Sequence, residues 1–470
     1  PPTGPRVNWR DAMKRSASTN FTVRAAVEYI DDGEYLPVLL KLIRSAKQTI
    51  LINMYEIPKR KTVQENLENI LDELKRAVKR DVYVRMTLFM PTYEGDALSE
   101  AHAELGARLR EEGIDVRFSA PGAPMHEKLV VVDLCKVLIG THNWSEGALT
   151  GDRVYECGAL MVLPQQDERL MEHVLTRNIV SDMRSRETWQ QEITTFRHLH
   201  ALGKKEREEL IKQLSVSSDQ LSASGSQGSE SQVAGQESNF GLRTLNFGQK
   251  SDKLYLKTGE ILEGKIVGET DGQFTFLQHS GVQTVKRGTV MFAVYGNEAD
   301  AEKKLGLAEA RRLCQDEGLY DVDILPTDTI GAAVVQAAES ATRSVGILSY
   351  YLSENNFGPI KKFYEILTKK AQSGLDVTII CSFGPTTTAE VKKDTMNFAS
   401  TLEPSGIKVL YIYSTKVQHK KMVLVDGDLV ILGSSNLTEA GMSTSDEINA
   451  RIRSPSFVRE AQADFQELQA

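Results

Sequence analysis

The chain has 470 residues, 41% apolar and 26% charged, with 56 Lys and Arg against 64 Asp and Glu for a net charge of -8. That length calls for roughly two to four domains with cores of their own, and no apolar run approaches the ~20 residues of a membrane span. The acidic balance argues against a chain that coats nucleic acid nonspecifically, although a local basic groove is compatible with it.

The chain opens at Pro1–Arg10 without a basic and then apolar leader and without an initiator Met, so it reads as a fragment or a processed product. Cys135, Cys157, Cys314 and Cys381 form no C-x-x-C pair and no metal-ligand spacing with His, which suggests scattered thiols and, by default, a cytoplasmic location. The first elements are an amphipathic helix ending at Ser45-Ala46 and the strand TILINMYEI (Thr49–Ile57). Lys59, Arg60 and Lys61 follow, either as a basic mouth for an anionic substrate or as solvated surface. Helices then alternate with strands at Asp81–Pro91 and Gly113–Phe118, leading into MHEKLVVVD, the small-residue turn Gly140-Thr141-His142-Asn143, and YECGALMV with Glu156.

Residues 186–214 have helical periodicity and many charges, and 215–240 are rich in Ser, Gly and Gln, the composition of a flexible linker. From Asn246 to Tyr295 short alternating strands punctuated by Gly259, Gly264, Gly268 and Gly272 predict a small, strongly bent antiparallel barrel. The opening scheme then recurs. Ser340-Ala341 leads into SVGILSYYL (Ser344–Leu352), then strands at Asp376–Pro385 and Gly406–Tyr411, QHKKMVLVD, Gly433-Ser434-Ser435-Asn436, and DEINARI with Glu447.

Each half therefore holds one H-x-K-x4-D: His126, Lys128, Asp133 and His419, Lys421, Asp426. One such match by chance has a probability of about a few in a hundred at this length, so two with a shared Gly and Asn downstream are not accidental. His and Lys two apart on a strand project from one face, with Asp at the strand's end. The set suits attack on a phosphodiester: one imidazole as nucleophile, a second to protonate the leaving alkoxide, ammonium and amide groups to hold the phosphoryl oxygens. Carboxylates can orient the imidazoles, and the scheme needs no metal or other cofactor. His142 is left outside the site.

With these motifs the sequence resembles the phospholipase D superfamily over residues 25–165 and 320–465. The resemblance implies an α/β fold of two similar lobes about a pseudo-twofold axis, one shared site and a phosphohistidine intermediate, tilted toward His126 as nucleophile and His419 as general acid. It implies that Lys128, Asn143, Lys421 and Asn436 bind the phosphate, with the hydroxyls of Thr141 and Ser434. Thr141 stands where the family usually has Ser. Glu156 and Glu447 would support the histidines; Asp133 and Asp426 belong to the motif set but would stabilise its turn. The expected division is 21–185 for lobe 1, 186–214 for a helical extension, 215–240 for a linker, 241–298 for a barrel resembling Sm-like or SH3-like folds, and 299–470 for lobe 2. The substrate reading prefers a phospholipid, with a metal-independent nuclease as alternative and a non-catalytic scaffold third; the barrel is a possible contact for nucleic acid or protein.

Overall fold

The computed structural model describes residues 20–58, 64–89, 97–119, 124–176, 251–258, 260–270, 272–278, 281–314, 318–354 and 356–470. The charge run at Lys59, Arg60 and Lys61, and the segments 186–214 and 215–240, lie outside them. Among the described residues no helix is long and apolar enough to cross a membrane.

The first half runs β1 (Phe21–Asp31), α1 (Tyr35–Ser45), β2 (Thr49–Met54), α2 (Glu65–Lys79), β3 (Tyr83–Leu88), α3 (Ala97–Glu111), β4 (Asp115–Phe118), β5 (Lys128–Val132), β6 (Lys136–Gly140), α4 (Glu146–Thr150), β7 (Val154–Tyr155), β8 (Cys157–Val162) and α5 (Glu168–Thr176). Helix α2 shows why these pieces assemble. Leu67, Ile70, Leu71, Leu74 and Ala77 recur at helical spacing and are buried, while Glu65 and Glu68 in its first turn and Arg76 and Lys79 in its last complement the helix dipole. Each leucine buried this way is worth about 1.5–3 kcal/mol. Strand β2 is buried at all six positions, as a strand packed on both faces must be.

The insert supplies β9 (Asp252–Leu256), β10 (Ile261–Glu269), β11 (Gln273–Gln278), β12 (Gly281–Lys286) and β13 (Val290–Val294), antiparallel in the order β12-β11-β10-β9-β13. A Cβ on Gly264 would meet the Leu277 carbonyl oxygen at 2.3 Å, so glycine permits the close approach of β10 to β11. Register shifts between Ile266 and Gly268 and between Val290 and Phe292 bend the strands. The five strands are antiparallel and bent, as the insert's sequence suggested, and β12 and β13, at the two ends of the order, share no ladder among the described residues. Gln48 and Gln166 bind it to lobe 1: Gln48 accepts from Ala293 N (2.7 Å), and Gln166 donates to Ala293 O (2.9 Å) and accepts from Tyr295 N (2.9 Å).

After α6 (Glu298–Leu305) and α7 (Leu307–Arg311) the first half's scheme returns as β14 (Tyr320–Pro326), α8 (Thr327–Ser340), β15 (Ser344–Ser349), α9 (Gly358–Gln372), β16 (Asp376–Ser382), α10 (Ala389–Leu402), β17 (Lys408–Ile412), β18 (Val417–Gln418), β19 (Met422–Val425), β20 (Leu429–Gly433), β21 (Ile448–Ile452) and α11 (Pro455–Gln469). Both halves join in one fourteen-stranded sheet, β17-β16-β15-β19-β20-β21-β14-β1-β8-β6-β5-β2-β3-β4. Its centre is the antiparallel pair β14–β1, with Phe21 opposite Ile324 and Ala25 opposite Tyr320. Seven strands in matching order lie on each side, the arrangement an approximate twofold axis through that pair generates.

Candidate active site

The two-residue spacing predicted each motif histidine on a strand with its lysine, but strand β5 begins at Lys128 and β19 at Met422, so His126, His419 and Lys421 sit in the segments that enter these strands. Those segments are sewn to the other half. Met125 bridges Asp446, with His126 N donating to Asp446 O (2.8 Å) and Asp446 N to Pro124 O (2.6 Å). In the counterpart, β18 pairs in parallel with β7, and His419 N donates to Tyr155 O (3.0 Å). Each histidine is thereby placed against the acidic residue of the opposite half.

The result is two crossed dyads. Nδ1–H of His126 donates to Glu447 at 2.9 and 3.0 Å, and Nδ1–H of His419 donates to Glu156 at 3.0 and 2.9 Å. The carboxylates are 2% and 1% exposed and the imidazoles 16% and 17%, so the ring edges opposite the dyads carry the access to solvent. A carboxylate on Nδ1 fixes the tautomer and leaves Nε2 with its lone pair outward, the state a nucleophile requires. Lys128 donates to the carbonyl of His126 (2.8 Å) and Lys421 to that of His419 (2.7 Å). The two clusters act on one another: the charge of Lys421 bears on His126, and that of Lys128 on His419.

Burial dominates the protonation equilibria. It lowers His126, and lowers His419 to about 4, against the pull of Glu447 and Glu156. It lowers Lys128 to about 7 and Lys421 to about 8; Glu447 and Glu156 hold both up in part, and the charge of Lys421 lowers Lys128 further. For Glu156 burial alone would raise the pKa, but His419 outweighs it and holds the carboxyl at about 2. Neutral imidazoles facing buried carboxylates, beside two lysines poised to take up protons, form a site whose charge rises when an anion enters. Among the described residues no group of three His, Cys, Asp or Glu is placed to hold a metal ion.

Other expected site residues separate from this centre. Asp133 leaves β5 at the end away from His126, roughly 16 Å along the strand. Its carboxylate accepts from the backbone amides of Lys47, Gln48 and Thr49 (2.8–3.1 Å) and pairs with fully buried Lys136 at 3.2 Å. Asp426 accepts from the amides of Thr342, Arg343 and Ser344 at 2.6–2.9 Å. Both Asp residues take positive φ, 55° and 54°, and their role is to tie the motif turn to the start of a neighbouring strand, not to act at the reacting centre. The hydroxyls expected on phosphate are also engaged elsewhere. Thr141 Oγ1 donates to Cys157 O (3.2 Å) and accepts from Cys157 N (3.0 Å); Ser434 Oγ does the same with Ile448, at 3.3 and 3.0 Å. Each side chain is fully buried in a backbone clasp between β6 and β8 or β20 and β21. A Cβ on Gly433, at φ 156°, would meet Ile448 O at 2.3 Å, which shows how tightly that clasp closes.

Asn143 and Asn436 follow those hydroxyls, and Asn143 donates to Glu56 Oε2 at 3.0 Å. His142, outside the expected site, stacks on Tyr35 at 4.2 Å. Sequence reasoning missed Tyr55, whose ring lies 4.5 Å from His126 and 4.7 Å from Lys128 Nζ, and Tyr350, 5.5 Å from His419 and 6.0 Å from Lys421 Nζ. It also missed Glu56. The two tyrosines hold the same position in the repeated strands TILINMYEI and SVGILSYYL, a signal present in the alignment of the halves.

A family model described as "Cardiolipin synthase, PLD-like domain" matches residues 39–175 and 334–469, more than half of the chain. Cardiolipin synthase of Geobacillus sp. (strain WCH70) is 32% identical over 128 residues, 27% of this chain and 24% of that protein. Cardiolipin synthase of Listeria welshimeri is 30% identical over 117 residues, 25% of this chain and 24% of that protein. The matched stretch thus spans about a quarter of the length of these curated relatives. The crystal structure of phosphatidylserine synthase from Haemophilus influenzae Rd KW20 matches with a TM-score of 0.52 at 12% identity, covering 98% of this chain and 90% of that one. At that identity the likeness is one of fold.

Proposed function

Because this chain belongs to the family described as cardiolipin synthase, PLD-like domain, we propose that it cleaves the phosphodiester of a phospholipid and passes the phosphatidyl group to water or an alcohol. The observation that carries the reading is the pair of crossed dyads, His126–Glu447 and His419–Glu156, which gives one centre two oriented imidazoles with free Nε2 atoms. The printed name of the curated relatives, cardiolipin synthase, supports a phospholipid substrate.

In the first step His126 Nε2 attacks phosphorus in line with the departing oxygen. The P–N bond forms as the P–O bond to the head-group alcohol breaks, and His419, protonated once the anion has raised its pKa, gives that oxygen its proton. In the second step His419 takes a proton from water or an acceptor alcohol, whose oxygen attacks phosphorus and releases His126 unchanged. Lys128 and Lys421 neutralise the phosphoryl oxygens as charge builds on them. Nothing in the scheme calls on a metal.

The test is purified protein in excess EDTA, offered vesicles of phosphatidylglycerol and phosphatidylcholine and, in parallel, single-stranded and duplex DNA and RNA. Head-group release, or exchange of the head group for an added alcohol, is the expected result. Cleavage of nucleic acid with lipid untouched would replace the substrate by the alternative. Loss of all activity in EDTA with recovery on adding a divalent metal would remove the two-histidine mechanism.

A further inference from the structure

The two halves hold their dyad carboxylates from equivalent places with different chemistry. Strand β1 ends with Asp31 opposite Cys157 and β14 with Pro326 opposite Ile448, so the residues that follow, Asp32 and Thr327, correspond. Each accepts from the backbone amide of the glutamate in its own half: Asp32 Oδ1 from Glu156 N at 2.7 Å, Thr327 Oγ1 from Glu447 N at 2.8 Å. The threonine hydroxyl donates in turn to Ser445 O (2.7 Å). The aspartate has a charge and a second oxygen, and these reach the other half.

Oδ2 of Asp32 accepts from Lys416 Nζ, and Oδ1 lies 3.8 Å from Lys420 Nζ. These lysines stand three residues before His419 and one after it. Lys420 is anchored mainly by Asp31 (2.6 Å) and Asp464 (2.5 Å), so Lys416 is the partner that depends on Asp32. Lys416 also lies over the Tyr155 ring, 3.8 Å from its centre, and the Tyr155 carbonyl accepts from His419 N. The main chain of Asp32 completes the grip: its N–H donates to Glu156 O (3.0 Å), and its carbonyl accepts from His142 Nε2–H (3.2 Å). Asp32 takes φ 29°, in the left-handed region where Asp and Asn are the side chains best tolerated. Around the other histidine, Ala123 and Glu127 stand where Lys416 and Lys420 stand around His419. A hydroxyl suffices to hold a glutamate amide, as Thr327 shows, so the charge at Asp32 answers to the lysines.

Resting on the phosphodiesterase reading above, we propose that Asp32 is a positioning residue for His419: with Lys416 it clamps the chain beside that histidine to the backbone of Glu156, across the two halves. The His126 dyad has the neutral clasp of Thr327 in its place. Loosening the clamp leaves attack by His126 intact and slows the second step, in which His419 takes a proton from water, the water oxygen bonds to phosphorus and the P–N bond to His126 breaks.

The test is hydrolysis of bis(p-nitrophenyl) phosphate by the unaltered protein, Asp32→Asn, Lys416→Met and the double variant, with thermal melting of each. Asn keeps an oxygen for the Glu156 amide and tolerates the left-handed backbone, but removes the charge. Lys416 is 21% exposed, so its replacement folds and carries the test should Asp32→Asn melt early. With protein in excess, first-turnover release of p-nitrophenolate should keep its rate, because that leaving group needs no protonation. Steady-state turnover should fall about tenfold, the cost of a misplaced general base, and phosphohistidine should accumulate on His126. The double variant should lose no more than either single one, because the two residues act as a unit. First-turnover and steady-state rates falling together, steady-state turnover unchanged in folded variants, or losses that multiply in the double variant overturn this inference and spare the reading beneath it. Absence of diester hydrolysis by the unaltered protein overturns both.

Discussion

At the scale of residues the account turns on a carboxylate from one half acting on the imidazole of the other. Glu447→Gln should therefore behave as a lesion of His126, and Glu156→Gln as a lesion of His419, although neither acid shares a half with its target. Removing either histidine should cost on the order of 10²–10⁴ in kcat, and His419→Ala should recover most when the leaving group is p-nitrophenolate, which needs no protonation. The lysines set a pH dependence. Burial lowers Lys128 to about 7 and Lys421 to about 8, so their ammonium forms are present below those values and lost as pH rises through them. Phosphate binding needs those charges; kcat/KM should fall on the alkaline side from about 7 upward. An entering anion raises the lysine pKa values, so binding of a diester analogue at pH near 8 should take up protons. Calorimetry in buffers of different ionisation enthalpy measures this directly, and proton release on binding would contradict it.

At the scale of elements, β5 separates two tasks, with His126 where the chain enters it and Asp133 where it leaves. Asp133→Ala strips three backbone amides of their acceptor and leaves Lys136 buried and unpaired, a loss of about 3–5 kcal/mol in stability. The check is denaturant unfolding beside turnover per folded molecule, and the second quantity should hold. The residues between His and Lys also belong to the scaffold. Lys420 donates to Asp31 (2.6 Å) and to Asp464 of α11 (2.5 Å), and Glu127 accepts from Asn53 (2.6 Å) and pairs with His173 of α5 at 3.0 Å. Much of this order was legible in the sequence. The internal repeat gave the two lobes, the alternation of apolar strands and amphipathic helices gave α/β layers, and the doubled H-x-K-x4-D gave the histidines. The crossing of the dyads was not legible, because it depends on β7, β18 and the single bridge at Met125, pairings of one or two residues that leave no periodic trace. Thr141 and Ser434 misled for a related reason: a hydroxyl after glycine looks the same whether it faces a ligand or clasps a neighbouring strand. Glu56 was hidden beside its tyrosine, where a single acidic residue at a strand's end is ordinary surface chemistry.

At the scale of the molecule the central pair β1–β14 makes two lobes one sheet, and the crossed dyads make them one active site, so neither half holds a complete catalytic unit. The inserted sheet meets lobe 1 at Gln48 and Gln166, the start of β2 and the approach to α5, away from the histidines. Replacing residues 251–295 by a flexible spacer should lower the melting temperature, since Gln48, Gln166 and the apolar side chains under the sheet lose their partners, while hydrolysis of a small chromogenic diester per folded molecule is retained. Collapse of that hydrolysis in a folded variant would bring the insert into the chemistry. The most direct test of the shared two-histidine centre is trapping of the covalent intermediate. A diester labelled on the retained group is mixed with the protein, quenched in base to preserve phosphohistidine, and the labelled peptide is identified. The account predicts label on the peptide containing His126, increased in His419→Ala and absent in His126→Ala; label spread equally over the His126 and His419 peptides, or persisting in His126→Ala, would contradict it.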